Sequence, residues 1–409
     1  MWLYNLGISL YAGGIRLAAL WHGKARLWSE GRRNIFERME AAVRPSDRIV
    51  WVHAASLGEF EQARPIIERL RAEHPEYKIL LTFFSPSGYE IRKNYEGADY
   101  VFYLPADTPS NARRFLDIVH PEIAIFIKYE FWINLLSELR RRKVRSYIVS
   151  AIFRRNSVFF RPYGAMWRQA LETFDTLFVQ NVESKRLLSE IGFDNVVVAG
   201  DTRFDRVAQI AAAAQRVETI ERFRGGGRLF VAGSTWGPDE EILLPLVNAN
   251  PDVKFVIAPH EMDEGRIAHL MRNAKGGAVR ITQCDAATRF DDVQVLVLDT
   301  MGMLSSVYGS ATWAYVGGGF GVGIHNTLEA ATFGLPIAFG PNYGKFKEAR
   351  DMVSLGCAVS VRTAGELAAW FAPLCDDEET LRRASRTAKD YTARNQGATG
   401  IILRSIFNS

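Results

Sequence analysis

From residue 48 onward, short apolar runs alternate with longer stretches whose apolar residues recur every three or four positions. Residues 48–53 (RIVWVH) and 77–84 (YKILLTFF) have the length and β-branched, aromatic content of strands, and residues 59–71 between them carry a helical period. Strand-like runs follow at 100–104, 122–127, 145–149, 176–179 and 196–198. They are mostly apolar and do not alternate with polar residues, the pattern of strands buried on both faces of a parallel sheet. The expected unit is a doubly wound α/β domain.

Between residues 204 and 227 the strand signal stops. An alanine-rich helical stretch leads into Arg224-Gly225-Gly226-Gly227, and a second alternation begins, with strand-like runs at 228–232, 254–258, 294–298, 312–316, 336–339 and 358–361 and a helical region over 363–394. A chain of 409 residues also exceeds the ~250–300 residues that one core usually reaches. The pattern predicts an N-terminal segment at 1–30, a Rossmann-like domain at 31–206, a linker at 207–227, and a second Rossmann-like domain at 228–409 whose last helix can pack back on the first. The two are expected to face each other across a cleft.

The N-terminal segment stands apart. Residues 1–15 carry no charged side chain and include Trp2, Leu3, Tyr4, Leu6, Ile8, Leu10 and Tyr11, after which Arg16, Lys24, Arg26, Arg32 and Arg33 are interleaved with Trp21 and Trp28. Gly7, Gly13, Gly14 and Arg16 interrupt the run, which falls short of the ~20 apolar residues a membrane-spanning helix needs. A signal peptide would place the cations first. The expected element is an interfacial helix, with aromatics in the bilayer and cations at anionic headgroups; a first helix packed on the core is the plainer alternative.

Net charge is only +4. That suits anionic lipid or a phosphorylated ligand and not a dedicated nucleic-acid binder. Cys284, Cys357 and Cys375 are far apart with no CxxC pair, so neither a disulfide framework nor a zinc site is expected.

Ligands of open α/β sheets bind beyond the carboxyl ends of the strands. There the first strand runs into His53-Ala54-Ala55-Ser56-Leu57-Gly58-Glu59, placing Glu59 in a first helical turn as a candidate general base. The helix dipole favours such a Glu for structural reasons alone and lowers its pKa, so burial or a second carboxylate must offset it. The fourth strand ends in Lys128-Tyr129-Glu130-Phe131-Trp132, and Arg203 stands between Asp201 and Asp205, facing a phosphate or simply ion-paired. In the second half, Gly233-Ser234-Thr235 precedes a helix, a phosphate-binding pattern as well as ordinary capping. Pro259-His260 ends the next strand. Residues 317–329 (GGGFGVGIHNTLE) run from a strand through a glycine-rich turn toward Asn326 and Glu329, a cradle in which backbone can approach a ligand. It is neither a P-loop nor the dinucleotide fingerprint, and no Asp-x-Asp triplet suggests a metal-bridged diphosphate.

Taken in order, residues 53–60, Glu130-Phe131-Trp132, 200–205, 233–241, Asp299-Thr300-Met301-Gly302, 317–329 and Gly340-Pro341-Asn342 resemble the motifs of 3-deoxy-D-manno-octulosonic acid (Kdo) transferases over essentially the whole chain. The resemblance implies a GT-B glycosyltransferase at the cytoplasmic face of the inner membrane. It would move Kdo from CMP-Kdo to a lipid A precursor, a phosphorylated glycolipid, with inversion and without a metal or other cofactor. It implies Glu59 as general base, and Glu130 and Arg203 as stabilisers of the transition state. Donor contacts would come from Ser234, Thr235, Pro259, His260, Met301, Gly302, Met303, Gly318, Gly319, Asn326, Thr327, Leu328 and Glu329. The chain departs from the family pattern at His260 (commonly Arg), Arg203 (usually Lys) and Met303 (usually Glu). A nucleotide-sugar epimerase and a non-catalytic nucleotide-sugar binder are the alternatives on this architecture.

Overall fold

The computed structural model describes residues 1–408. The chain forms two compact units: Met1–Arg206 together with the C-terminal residues from Gln396, and Val207–Asn395. Each is built on one seven-stranded sheet.

In the first unit β1 (Ile49–His53), β2 (Lys78–Phe83), β3 (Tyr100–Tyr103), β4 (Ile123–Ile127), β5 (Arg145–Ala151), β6 (Thr176–Val179) and β7 (Val196–Val198) lie in the order β3-β2-β1-β4-β5-β6-β7. All pairings are parallel, and His53 is in register with Thr82 and Phe126. Every residue of β1 and β4 is buried, the reason these runs are mostly apolar. Trp51, Phe115 and Phe126 build the core on one face; Phe60, Ile66, Leu70 and Phe83 build it on the other. Burying each such side chain contributes ~1.5–3 kcal/mol.

The second unit holds β8 (Leu229–Thr235), β9 (Lys254–Pro259), β10 (Ala278–Arg280), β11 (Val295–Val297), β12 (Trp313–Val316), β13 (Ile337–Phe339) and β14 (Ala358–Ser360), in the order β10-β11-β9-β8-β12-β13-β14 and again parallel throughout. In both sheets the winding reverses once, between β1 and β4 in the first and between β8 and β12 in the second. Loops after these strands occupy the switch point where α/β sheets bind ligands.

Three sequence expectations are corrected. Strand β10 has no counterpart among the predicted runs: it is a three-residue edge strand ending in Arg280, too short and too polar for a pattern. Residues 207–227, expected as a linker with an alanine-rich helical stretch, belong to the second unit: helices Thr202–Ala213 and Glu218–Arg224 fill most of them, and Ile220 and Phe223 are buried in its core. The second domain stops short of residue 409. The helix Ala398–Phe407 packs Ile402, Leu403 and Ile406 against Ile66 and Leu70 of the first unit, and Asp205 accepts the N–H groups of Gly397 (2.6 Å) and Thr399 (2.7 Å) at its start.

The N-terminal segment forms two helices, Trp2–Ala18 and Gly23–Gly31. No residue of the first is fully buried. Among the described residues, no helix is long and apolar enough to cross a membrane.

Candidate functional site

In the first unit, β1 ends at His53 and a turn of small residues leads to the helix Leu57–Glu73, which places Glu59 in its first turn. Glu59 Oε2 accepts the N–H of Ala55 at 2.6 Å. Burial, and after it the negative charge of Glu130, push the Glu59 carboxyl up to about 7, against the lowering effects of the Ala55 N–H and Lys128. Both conditions set by the helix dipole are therefore present, the burial and the second carboxylate.

Glu130 arrives from the neighbouring strand. Lys128, the first residue after β4, takes the left-handed conformation (φ 59°). For a non-glycine residue this costs ~1–3 kcal/mol and is concentrated at functional sites. Glu130 Oε2 accepts the indole N–H of Trp132 at 2.7 Å and lies 3.2 Å from His53 Nε2. His53 is fully buried, with Nδ1 2.8 Å from Thr82 Oγ1, which also accepts the indole N–H of Trp51 at 2.8 Å. The Trp132 indole N–H also reaches His53 Nε2 at 3.1 Å, so His53, Trp132 and Glu130 meet at one point.

Arg203 follows β7. Its guanidinium bonds Asp201 Oδ2 through Nε (2.9 Å) and Nη2 (2.8 Å), while Asp201 Oδ1 accepts from Gln62 at 2.8 Å. Burial opposes the charge on Asp201, yet Arg203 holds its carboxyl below the usual range. Arg203 is thus ion-paired to Asp201, whereas Asp205 is occupied at the C-terminal helix. His53, Trp132 and Gln62 carried no role in the sequence reading; only the packed structure shows them as partners of the three charged groups.

The second unit places its candidates around the loops after β8, β9 and β12. Ser234 is left-handed (φ 54°) at a register shift in β8. Thr235 is buried and donates its hydroxyl to Glu240 at 2.9 Å. Pro259 closes β9, and the exposed His260 ring stacks on His325 (4.3 Å) and leans on Trp236 (4.9 Å), whose indole N–H reaches His325 Nε2 at 3.2 Å. Burial, and then the neighbouring His260, lower the His325 imidazole below its ordinary range.

The glycine-rich turn serves the protein's own packing first. A Cβ on Gly317 would lie 2.2 Å from Ser234 O, and one on Gly319 2.6 Å from the Cα of Gly340, so backbone meets backbone at both. The N–H of Gly318, a residue the resemblance gave to the donor, is donated to Asp239 at 3.0 Å. The fully buried Asp239 also accepts the Trp236 N–H (2.9 Å) and the Tyr315 hydroxyl (2.7 Å), tying the β8 and β12 loops together. Glu329 accepts from Ser305 (2.8 Å) and Asn326 (3.0 Å), which brings it beside the segment containing Met303. Met301 is 81% exposed with Gly302 next to it at φ 86°, whereas Leu328 and Thr327 are buried, the Thr327 hydroxyl without a partner. Asp239 and His325 were missed as site residues, although both stand inside segments the sequence reading singled out.

The family model for 3-Deoxy-D-manno-octulosonic-acid transferase (kdotransferase) matches residues 32–206, the span that carries Glu59, Glu130 and Arg203. The 3-deoxy-D-manno-octulosonic acid transferase of Bordetella pertussis is 28% identical over 87% of this chain and 86% of its own length. That of Haemophilus influenzae is 25% identical over 88% and 86%, and that of Aquifex aeolicus 26% over 78% and 83%. Among solved structures, the fold is similar to UDP-GlcNAc 2-epimerase from Neisseria meningitidis (TM-score 0.62, 16% identity, 88% of this chain and 100% of that one). It is also similar to MurG from Acinetobacter baumannii (TM-score 0.55, 13% identity, 89% and 100%). The likeness to these structures is one of fold; the sequence similarity to 3-deoxy-D-manno-octulosonic acid transferases runs through both units.

Proposed function

We propose that this protein transfers Kdo from CMP-Kdo to a hydroxyl of a lipid A precursor, with inversion and with Glu59 as the base. The similarity to 3-deoxy-D-manno-octulosonic acid transferases supports Kdo transfer in lipopolysaccharide biosynthesis, and so a glycosyltransferase; the donor, the acceptor and the residue roles are what the proposal adds. The observation that carries it is the pair of carboxylates at the first sheet's switch point, with Glu59 pushed up to about 7 by burial and Glu130. A base serves best when its pKa lies near the working pH.

In the proposed step the acceptor oxygen attacks the anomeric carbon of Kdo as the bond to the CMP phosphate breaks, and the hydroxyl proton passes to Glu59. Glu130 and Arg203 stabilise the charge that develops, Glu130 being fixed by Trp132 and His53 and Arg203 by Asp201. The donor is assigned to the second unit, with His260 near its phosphate and Asn326 and Glu329 at its hydroxyls. Preorganised groups of this kind take the place of a metal in the reading.

Protein incubated with CMP-Kdo and a lipid A precursor should release CMP and add the mass of Kdo to the lipid. Consumption of CMP-Kdo at the same rate without acceptor, or a rearranged sugar, would overturn the proposal in favour of hydrolysis or epimerisation.

A further inference from the structure

The loop that carries Glu130 is braced from behind by the N-terminal helix Trp2–Ala18. Two contact sets do this, one through Trp132 and one through the residues that directly follow it. In the helix's first turn, Tyr4 donates its hydroxyl proton to Asp107 at 2.7 Å and accepts the N–H of Ile133 at 3.3 Å, while Asn5 Oδ1 accepts from the Asn134 side chain at 2.9 Å. Asp107, almost wholly buried, accepts the N–H groups of Asn134 and Leu135 at 2.9 Å each. Together they cap the helix Ile133–Arg142, which begins directly after Trp132. About two turns further along, the Tyr11 ring stacks on Phe84 (6.2 Å, 21°), and Phe84 lies 4.6 Å from Trp132.

Phe84 is held in turn. Arg32 donates to its carbonyl at 2.8 Å and to Leu104 O at 2.8 Å, with its guanidinium 3.9 Å above the Trp28 ring. The Trp132 indole N–H then reaches both Glu130 (2.7 Å) and His53 (3.1 Å). A continuous line of packed groups therefore runs from Tyr11 through Phe84 and Trp132 to Glu130, with Tyr4 clamping the residues that directly follow Trp132.

We propose that the N-terminal helix is a positioning element for Glu130, with Tyr4 and Tyr11 as positioning residues that act through Asp107 and through Phe84–Trp132. A helix serving only as a grip on a surface would need neither contact set, because Trp2, Leu3, Leu6, Leu10 and Leu17, all exposed, are different residues from Tyr4, Asn5 and Tyr11, which make those contacts. The inference rests on the reading of Glu130 as part of the reaction site. It adds that loosening the helix slows the chemical step itself, for an acceptor free in solution as well as one in a bilayer.

The test uses the full chain with Tyr4→Phe, which deletes one oxygen, and Tyr11→Ala. On a deacylated, water-soluble acceptor with CMP-Kdo, each should lower kcat by about tenfold, the rate equivalent of a lost hydrogen bond, with little change in the donor KM and a displaced pH profile. Wild-type kcat and pH profile on that acceptor, with loss only on acceptor embedded in vesicles, would overturn the proposal in favour of a surface grip. A second readout does not depend on turnover. With all nine tryptophans replaced by 5-fluorotryptophan, the Trp132 resonance, assigned by Trp132→Phe, should move in both variants; an unmoved resonance in both would contradict the positioning role. If wild-type protein transfers nothing, the functional reading fails while the fluorine spectrum still decides the positioning.

Discussion

A carboxyl that titrates near 7 is half-ionised at neutral pH, so Glu59 can both take and release a proton where an ordinary glutamate is only an anion. The direction of its pH dependence follows. As base it must be ionised, so kcat/KM should climb as pH rises through about 7 and then level off. Burial and the charge of Glu130 raise the group. Glu130→Gln removes the second of these, so the climb should move to lower pH, even as the variant loses rate. An unmoved limb in that pH profile would show that the charge of Glu130 does not reach Glu59. Linkage has the opposite consequence for stability. The folded-state value lies above the ordinary carboxyl value, so between about 4.5 and 7 the folded chain holds a proton the unfolded chain has released, and Glu59 lowers stability as pH rises through that window.

At the scale of elements, the strands were legible because both their faces are covered: Ile49–His53 and Ile123–Ile127 are wholly buried, and the one polar residue among them, His53, is hydrogen-bonded at both ring nitrogens. Glu59, Lys128 to Glu130, Ser234 and the glycine-rich turn were legible as places, since each follows a strand. Their partners were not. Asp239 closes the second unit's loops through Tyr315 and Gly318, 76 and 79 residues away, and no local pattern records that distance. The edge strand at Ala278–Arg280 was hidden for the reverse reason, having three residues and half-buried faces. Asp239→Ala would strand the Tyr315 hydroxyl and two backbone N–H groups in a buried site. At ~1–3 kcal/mol for each unsatisfied group, urea unfolding should show a loss of about 3 kcal/mol or more. A loss below about 1 kcal/mol would mean that water replaces the carboxylate.

For the molecule as a whole, the N-terminal helix is the feature on which sequence and structure divide. The sequence promised apolar residues beside cations; the structure adds that Tyr4 and Ile8 turn toward the first unit while Trp2, Leu3, Leu6, Leu10 and Leu17 stay exposed. Such a face, followed by Lys24 and Arg26, has the composition of an interfacial helix, the expectation drawn from the sequence. The full chain should float with vesicles containing anionic lipid and be released by added salt, and Leu6→Asp with Leu10→Asp should leave it at the bottom of the gradient. Flotation of that double variant equal to wild type would remove the helix from membrane binding.

Everything functional in this account depends on Glu59 accepting the acceptor's proton. The measurement that tests it most directly is the rate of Kdo transfer by Glu59→Gln, made on protein whose melting temperature at pH 8 is no lower than wild type. The amide keeps the shape and cannot take the proton. The account predicts a fall of ~10²–10⁴ in kcat, the usual loss for a general base, with CMP-Kdo still bound; transfer within a few-fold of wild type would contradict it.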